Sequence, residues 1–173
     1  MIILITGASH TGKTLLAQRL LEKYRYPYLS IDHLKMGLIR SGNTALGPED
    51  DASLTGYLWP IVREILKTAI ENRQNLIVEG CYVPAAWRAD FDEAYLPFIR
   101  FICLAMTDAY IDQHFSEIIG HESEIESRLI AADCTPDGLK ASNRWYINAF
   151  GQTGEELRLI EDDYSKVFSS LID

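Results

Sequence analysis

The chain opens on an uninterrupted apolar run, Ile2, Ile3, Leu4 and Ile5, and similar runs return at residues 75–80 and 98–104. Short runs without polar alternation are what strands buried on both faces of a parallel sheet require. Between them the period changes. Leu16, Leu20 and Tyr24 recur at helical spacing behind a glycine-rich turn, and Leu58, Ile61, Val62, Ile65, Leu66, Ala69 and Ile70 form one apolar helical face. Residues 26–31, with a proline near the start, read as a second strand, Asp32 stands at its end, and a short helix runs on to Arg40. Residues 41–53 carry Gly42, Gly47 and Pro48 and read as a loop. Thr107 or Asp108 caps a further helix whose apolar face holds Tyr110, Ile111, Phe115 and Ile118.

Residues 120–151 are helical in pattern but polar and less regular. Residues 157–161 admit two readings: a fifth strand feeding a last helix, or, from the capping-box pair Thr153 and Glu156, one helix whose face holds Leu157, Ile160, Tyr164, Val167 and Leu171. We expect the strand. The alternation of strand and helix predicts an α/β fold of three layers, α/β/α, with an open parallel sheet and helices on both faces.

At 173 residues, 47% hydrophobic and 24% charged, the chain fits one domain with an ordinary core, and disorder is excluded. Its net charge of −9 disfavours a broad polyanion surface, so no nucleic acid partner is expected, while a small anion in one basic pocket remains compatible. Cys81, Cys103 and Cys134 are an odd number at wide spacing, which signals neither a disulfide framework nor a zinc site. No apolar run reaches the roughly 20 residues of a membrane span, and the first residues lack the pattern of a signal peptide. A cytoplasmic protein without a membrane partner is expected.

One stretch carries specific chemistry. Gly7, Ala8, Ser9, His10, Thr11, Gly12, Lys13 and Thr14 match G-x-x-x-x-G-K-[ST] at every fixed position, after a strand and before an amphipathic helix. Gly7 and Gly12 let the backbone wrap so that successive N–H groups point at phosphate oxygens, and the next helix adds its positive end. Lys13 then bridges the β- and γ-phosphates, and the Thr14 hydroxyl takes one Mg²⁺ position. A single cationic nest of this kind reconciles an acidic chain with a nucleotide ligand.

Two acids fall at strand ends. Glu79 closes Leu76, Ile77 and Val78 and has the place of the Walker B acid acting on the metal or its water, although Asp is commoner there. Asp32 falls on the same carboxyl edge, where ligands of open α/β sheets bind, and could take the proton of an acceptor hydroxyl. Capping the helix that runs to Arg40 is its structural alternative.

With these residues in place the chain resembles the P-loop kinases of small molecules, a nucleotide-kinase-like group, and within them the 2-phosphoglycerate kinase-like branch. The resemblance rests on Gly7 to Thr14, on Pro27-Tyr-Leu-Ser-Ile-Asp-His33, on Leu58-Trp-Pro60, and on Leu76-Ile-Val-Glu-Gly80 with Val83 and Pro84. It covers about the first 105 residues well. It implies a five-stranded parallel sheet in the order 2-3-1-4-5, Mg-ATP as phosphoryl donor, and a small-molecule acceptor. It also implies a helical lid carrying cations, which falls at about residues 120–144 with Arg128 as its catalytic residue and Lys140 and Arg144 as alternatives. The departure is that Glu122, Glu124 and Glu126 crowd this segment.

Lys35, Arg40, Arg63 and Arg88 are candidate readers of an anionic acceptor. His10 and His33 read as polar loop residues, Tyr57 and Trp59 as core more than pocket wall, and Cys81 as a small buried group. A nucleoside or nucleotide kinase is the alternative within this chemistry, and a nucleotide-dependent switch the alternative outside it; the chain has no Asn-Lys-x-Asp base-reading motif. A monomer or a homodimer is expected.

Overall fold

The computed structural model describes residues 1–120 and 134–172. Five parallel strands are ordered β2-β3-β1-β4-β5: β1 (Ile2–Gly7), β2 (Tyr28–Ser30), β3 (Leu76–Glu79), β4 (Ile99–Met106) and β5 (Leu157–Ile160). The helices are α1 (Lys13–Tyr24), α2 (Ile31–Arg40), α3 (Asp51–Glu71), α4 (Asp108–Gly120), α5 (Pro136–Phe150) and α6 (Tyr164–Ile172).

Every residue of β1 is buried, and its side chains alternate between two cores. Ile3 and Ile5 meet Leu16, Ala17 and Leu20 of α1 with Phe168 and Leu171 of α6. On the other face, Ile2 and Leu4 meet Leu58, Val62 and Leu66 of α3 with Tyr146 and Phe150 of α5. The expected three layers follow from this double burial, each large apolar side chain contributing about 1.5–3 kcal/mol. The register sets Leu4 of β1 beside Val78 of β3 and Phe101 of β4, so all strands end at one carboxyl edge.

The boundaries that bear on the site differ from expectation. β2 stops at Ser30 and α2 begins at Ile31, which is fully buried in the core. Asp32 therefore sits in the first turn of α2, where a carboxylate complements the helix dipole, and Ser30 occupies the cap position. α3 starts at Asp51, because Leu54 lies four residues before Leu58 and extends the same buried stripe by one turn. Pro60 lies inside this helix.

The fifth strand is present: Cys103 and Met106 of β4 stand opposite Leu157 and Ile160 of β5. The Thr153 hydroxyl donates to the Phe150 carbonyl at 2.7 Å, so it closes the end of α5 and opens no new helix. Residues 136–144 form the first part of α5, whose Asn143 side chain accepts from the Met106 backbone N–H at 2.7 Å. Residues 121–133, with Arg128 and the three glutamates expected in the lid, lie outside the described residues.

Candidate active site

At the end of β1 the backbone enters conformations that side chains oppose. Gly7 has φ 142° and Gly12 φ 78°, and His10 between them has φ 65°. A Cβ on Gly7 would lie 2.1 Å from the Leu104 carbonyl oxygen, and one on Gly12 would lie 1.5 Å from the Tyr164 hydroxyl of α6. The loop is thus held from behind by β4 and α6. Gly12→Ala is expected to weaken ATP binding at least about tenfold, because left-handed strain of roughly 1–2 kcal/mol adds to this collision; equilibrium titration of the variant with Mg-ATP checks it.

Within the loop the Thr11 hydroxyl donates to the Ala8 carbonyl at 2.8 Å, and Lys13 Nζ donates to the same oxygen at 2.7 Å. Lys13 is buried, and among the described residues no carboxylate forms an ion pair with it. A buried ammonium without a counter-ion is costly unless an anion approaches it. The first turn of α1 contains no acidic residue, and its cap, Gly12, offers no side-chain hydrogen bond. Lys13 and the first-turn N–H groups of α1 are donors of the kind that suits phosphate oxygens.

Glu79 is 1% exposed and accepts a hydrogen bond from the Tyr28 hydroxyl at 2.8 Å. Ser30 stands opposite it in the β2–β3 register, and the buried Ser30 hydroxyl has no hydrogen-bond partner among the described residues. Thr14, in the first turn of α1, makes no side-chain hydrogen bond among the described residues either. These oxygens fit a hydrated Mg²⁺, which keeps several waters and takes few protein ligands. No three His, Cys, Asp or Glu side chains gather as metal ligands among the described residues.

On the β2 side of the same edge lies a second set of polar groups. Asp32 Oδ1 is 3.3 Å from Lys35 Nζ, one turn along α2. Lys35 Nζ donates to the Tyr82 hydroxyl at 2.7 Å, and that hydroxyl donates to Asp51 Oδ1 at 2.8 Å. Burial, and then the hydrogen bond to Asp51, push the Tyr82 hydroxyl well above the usual tyrosine range.

Comparison with solved structures places the fold. A sugar kinase from Janibacter sp. superposes with a TM-score of 0.61 at 15% identity, over 99% of this chain and 91% of that one. A gluconokinase from Sinorhizobium meliloti gives 0.53 at 11% identity, over 98% and 88%. A shikimate kinase from Aquifex aeolicus gives 0.53 at 14% identity, over 99% and 94%. The chain has the fold of the P-loop small-molecule kinases. No family model and no curated protein matches the sequence.

In this P-loop kinase fold the remaining candidates separate. Arg63 pairs with Glu64 at 2.7 Å and lies 3.9 Å from Asp90, and Arg88 pairs with Glu155 at 3.2 Å, ahead of the amino end of β5. Arg40 is exposed at the far end of α2. Of the four expected acceptor cations, Lys35 alone stands beside Asp32. Lys140 pairs with Asp112 and Arg144 with Asp108, so both lock α5 to α4; the Arg144 contact holds the Asp108 carboxyl below its usual range.

Trp59 is core, as expected, and donates to Asp90 at 2.7 Å; Tyr57 donates to the Asn43 carbonyl at 2.9 Å. Cys81 is half-buried, and its carbonyl accepts from Tyr146 at 2.8 Å. Burial pushes the Cys103 thiol up to about 12, with Lys13 opposing. Tyr28, Ser30, Asp51, Tyr82 and Tyr164 were not legible as site residues, since each acts on a residue far away in the chain or carries no motif.

Proposed function

We propose that the protein is an ATP-dependent phosphotransferase that moves the γ-phosphoryl group of Mg-ATP to a hydroxyl of a small metabolite. The observation that carries this reading is Lys13, a buried ammonium with no carboxylate partner among the described residues, at a helix N-terminus without acidic capping. Lys13 and the backbone N–H groups of residues 7–14 hold the β- and γ-phosphates and offset the charge that develops on the transferring group. Thr14 and Glu79 would hold Mg²⁺. The metal ion, when bound, neutralises phosphate charge. Asp32 takes the proton of the acceptor hydroxyl as its oxygen bonds to the γ-phosphorus, the bond to the bridging oxygen breaks, ADP leaves, and the proton passes to water.

The sugar, gluconate and shikimate kinases that share the fold support a small hydroxylated acceptor. The 2-phosphoglycerate-like acceptor that the resemblance implies needs more cations around it than Lys35, so an unphosphorylated acceptor is the reading favoured here. Arg128 is a candidate to close over the phosphates. A cytoplasmic setting fits cysteines that form no disulfide among the described residues, and among the described residues no helix is long and apolar enough to cross a membrane.

The test is ADP formation from Mg-ATP across a panel of polyols, hydroxy acids and nucleosides. Acceptor-dependent ADP is expected. Dependence on a nucleoside or nucleotide would move the assignment to that kinase class, and slow hydrolysis that no acceptor stimulates would sink the transferase reading in favour of a switch. Separately, Glu79→Gln is expected to weaken binding of Mn²⁺, used as a spectroscopic probe in the presence of ADP, by about 10- to 100-fold. Unchanged Mn²⁺ affinity would remove Glu79 from the metal site.

A further inference from the structure

Asp32 does not stand alone at the acceptor side. The chain of contacts from Asp32 through Lys35 and Tyr82 to Asp51 joins three elements: α2, the first residue of α3, and the segment that follows β3. Its polarity is fixed. The single hydroxyl proton of Tyr82 goes to Asp51, so the phenolic oxygen turns its lone pairs to Lys35. The ammonium donates one N–H to Tyr82, Asp32 Oδ1 lies 3.3 Å from it as an ion partner, and no further hydrogen-bond acceptor meets it among the described residues.

The ammonium is held where a ligand would meet it. The Lys35 side chain is 12% exposed and its Nζ lies 5.0 Å from the centre of the Tyr82 ring, while the Asp32 side chain is 30% exposed. Tyr82, 4% exposed, keeps its proton, because burial and Asp51 both oppose ionisation. The cluster therefore sums to two carboxylates and one ammonium, a net charge of −1. An ammonium neutralised in this way reads an uncharged or singly charged oxygen well and offsets a phosphate dianion poorly.

We propose that Lys35 is the specificity-determining residue for the acceptor: its remaining N–H reads an oxygen adjacent to the hydroxyl that Asp32 deprotonates, and the cluster discriminates against acceptors that already carry a phosphate. Tyr82 and Asp51 are positioning residues that keep the ammonium aimed. The inference rests on the kinase reading and goes beyond it by fixing what the acceptor must carry. A pinned ammonium loses little freedom on binding, so its hydrogen bond appears in acceptor affinity more than in the rate of transfer.

The experiment measures ADP formation over matched pairs: glycerol against 1,3-propanediol, which lacks the adjacent oxygen, and gluconate and glycerate against 6-phosphogluconate and 2-phosphoglycerate. Wild type is expected to favour the first member of each pair by at least about tenfold in kcat/KM. Lys35→Met should raise the acceptor KM by about 10- to 100-fold, a larger effect than its effect on kcat, erase the preference for glycerol, and leave Mg-ATP affinity near wild type. Tyr82→Phe, which keeps the ring and removes the hydroxyl, should move KM in the same direction by less. Melting temperatures identify a variant that has lost its fold, and the conservative Tyr82→Phe then decides.

Preference for the phosphorylated members overturns the inference, as do unchanged KM and pair preference in the variants. No acceptor-dependent ADP from any pair, with Mg-ATP still bound, overturns the kinase reading and the inference with it. ADP formation that ignores Lys35 overturns the inference alone.

Discussion

Lys13→Met is expected to keep the fold and lower phosphoryl transfer by about 10²- to 10³-fold or more, the loss seen when one preorganised charge-stabilising donor is removed. The stem of methionine fills most of the space left by lysine, and the one side-chain hydrogen bond given up among the described residues is that to the Ala8 carbonyl. Because a buried ammonium with no carboxylate partner among the described residues opposes folding, the variant should melt at the same temperature as wild type or above it. Activity and stability are thus expected to move apart, which a merely structural lysine would not produce. ADP formation by a coupled assay, ATP titration and thermal unfolding measure the three quantities. Transfer within a factor of ten of wild type would remove Lys13 from the mechanism.

Asp32→Asn should lower kcat by about 10²- to 10⁴-fold while ATP affinity stays near that of wild type. Asparagine preserves the size of the side chain and its place in the first turn of α2, but it cannot take a proton from the acceptor. The substitution also removes the ionic partner of Lys35. The two effects separate in the kinetics: loss of the base appears in kcat, and a displaced Lys35 appears in the acceptor KM. Near-normal kcat in Asp32→Asn would leave the carboxylate with its helix-dipole role only.

The contrast between the two residues says what a sequence can carry here. Lys13 belongs to a contiguous pattern in which strand, glycine turn and helix follow one another, so its environment was legible from residues 2–24 alone. Glu79 was legible for a similar reason, as an acid closing an apolar strand. Asp32 was found, but its element was misjudged by one boundary, because Ile31 suits a strand and a buried helix start equally well. Lys35 could be named only as one of four scattered cations. What singles it out is Tyr82, 47 residues away, and Asp51, 31 residues from Tyr82, brought together by the parallel pairing of β2 and β3.

The contact behind the loop was hidden in the same way. Nothing in residues 157–172 announces a phosphate site. The pairing of β5 beside β4 carries the chain back to the carboxyl edge, and α6 then sets Tyr164 against Gly12. Long-range pairing supplies these contacts, and no local period encodes it.

Pro60 gives α3 a mechanical property. With no N–H to donate, it leaves the Gly56 carbonyl without its ladder bond, and the helix has a compliant joint at that turn. Beyond the joint, Val62, Leu66 and Ala69 are buried among the core side chains. Ahead of it, the first turns end in Asp51, the anchor of Tyr82. Leu54 and Leu58 are buried ahead of the joint as well, so both halves of α3 are fixed on the core and Asp51 reaches Tyr82 from an anchored helix.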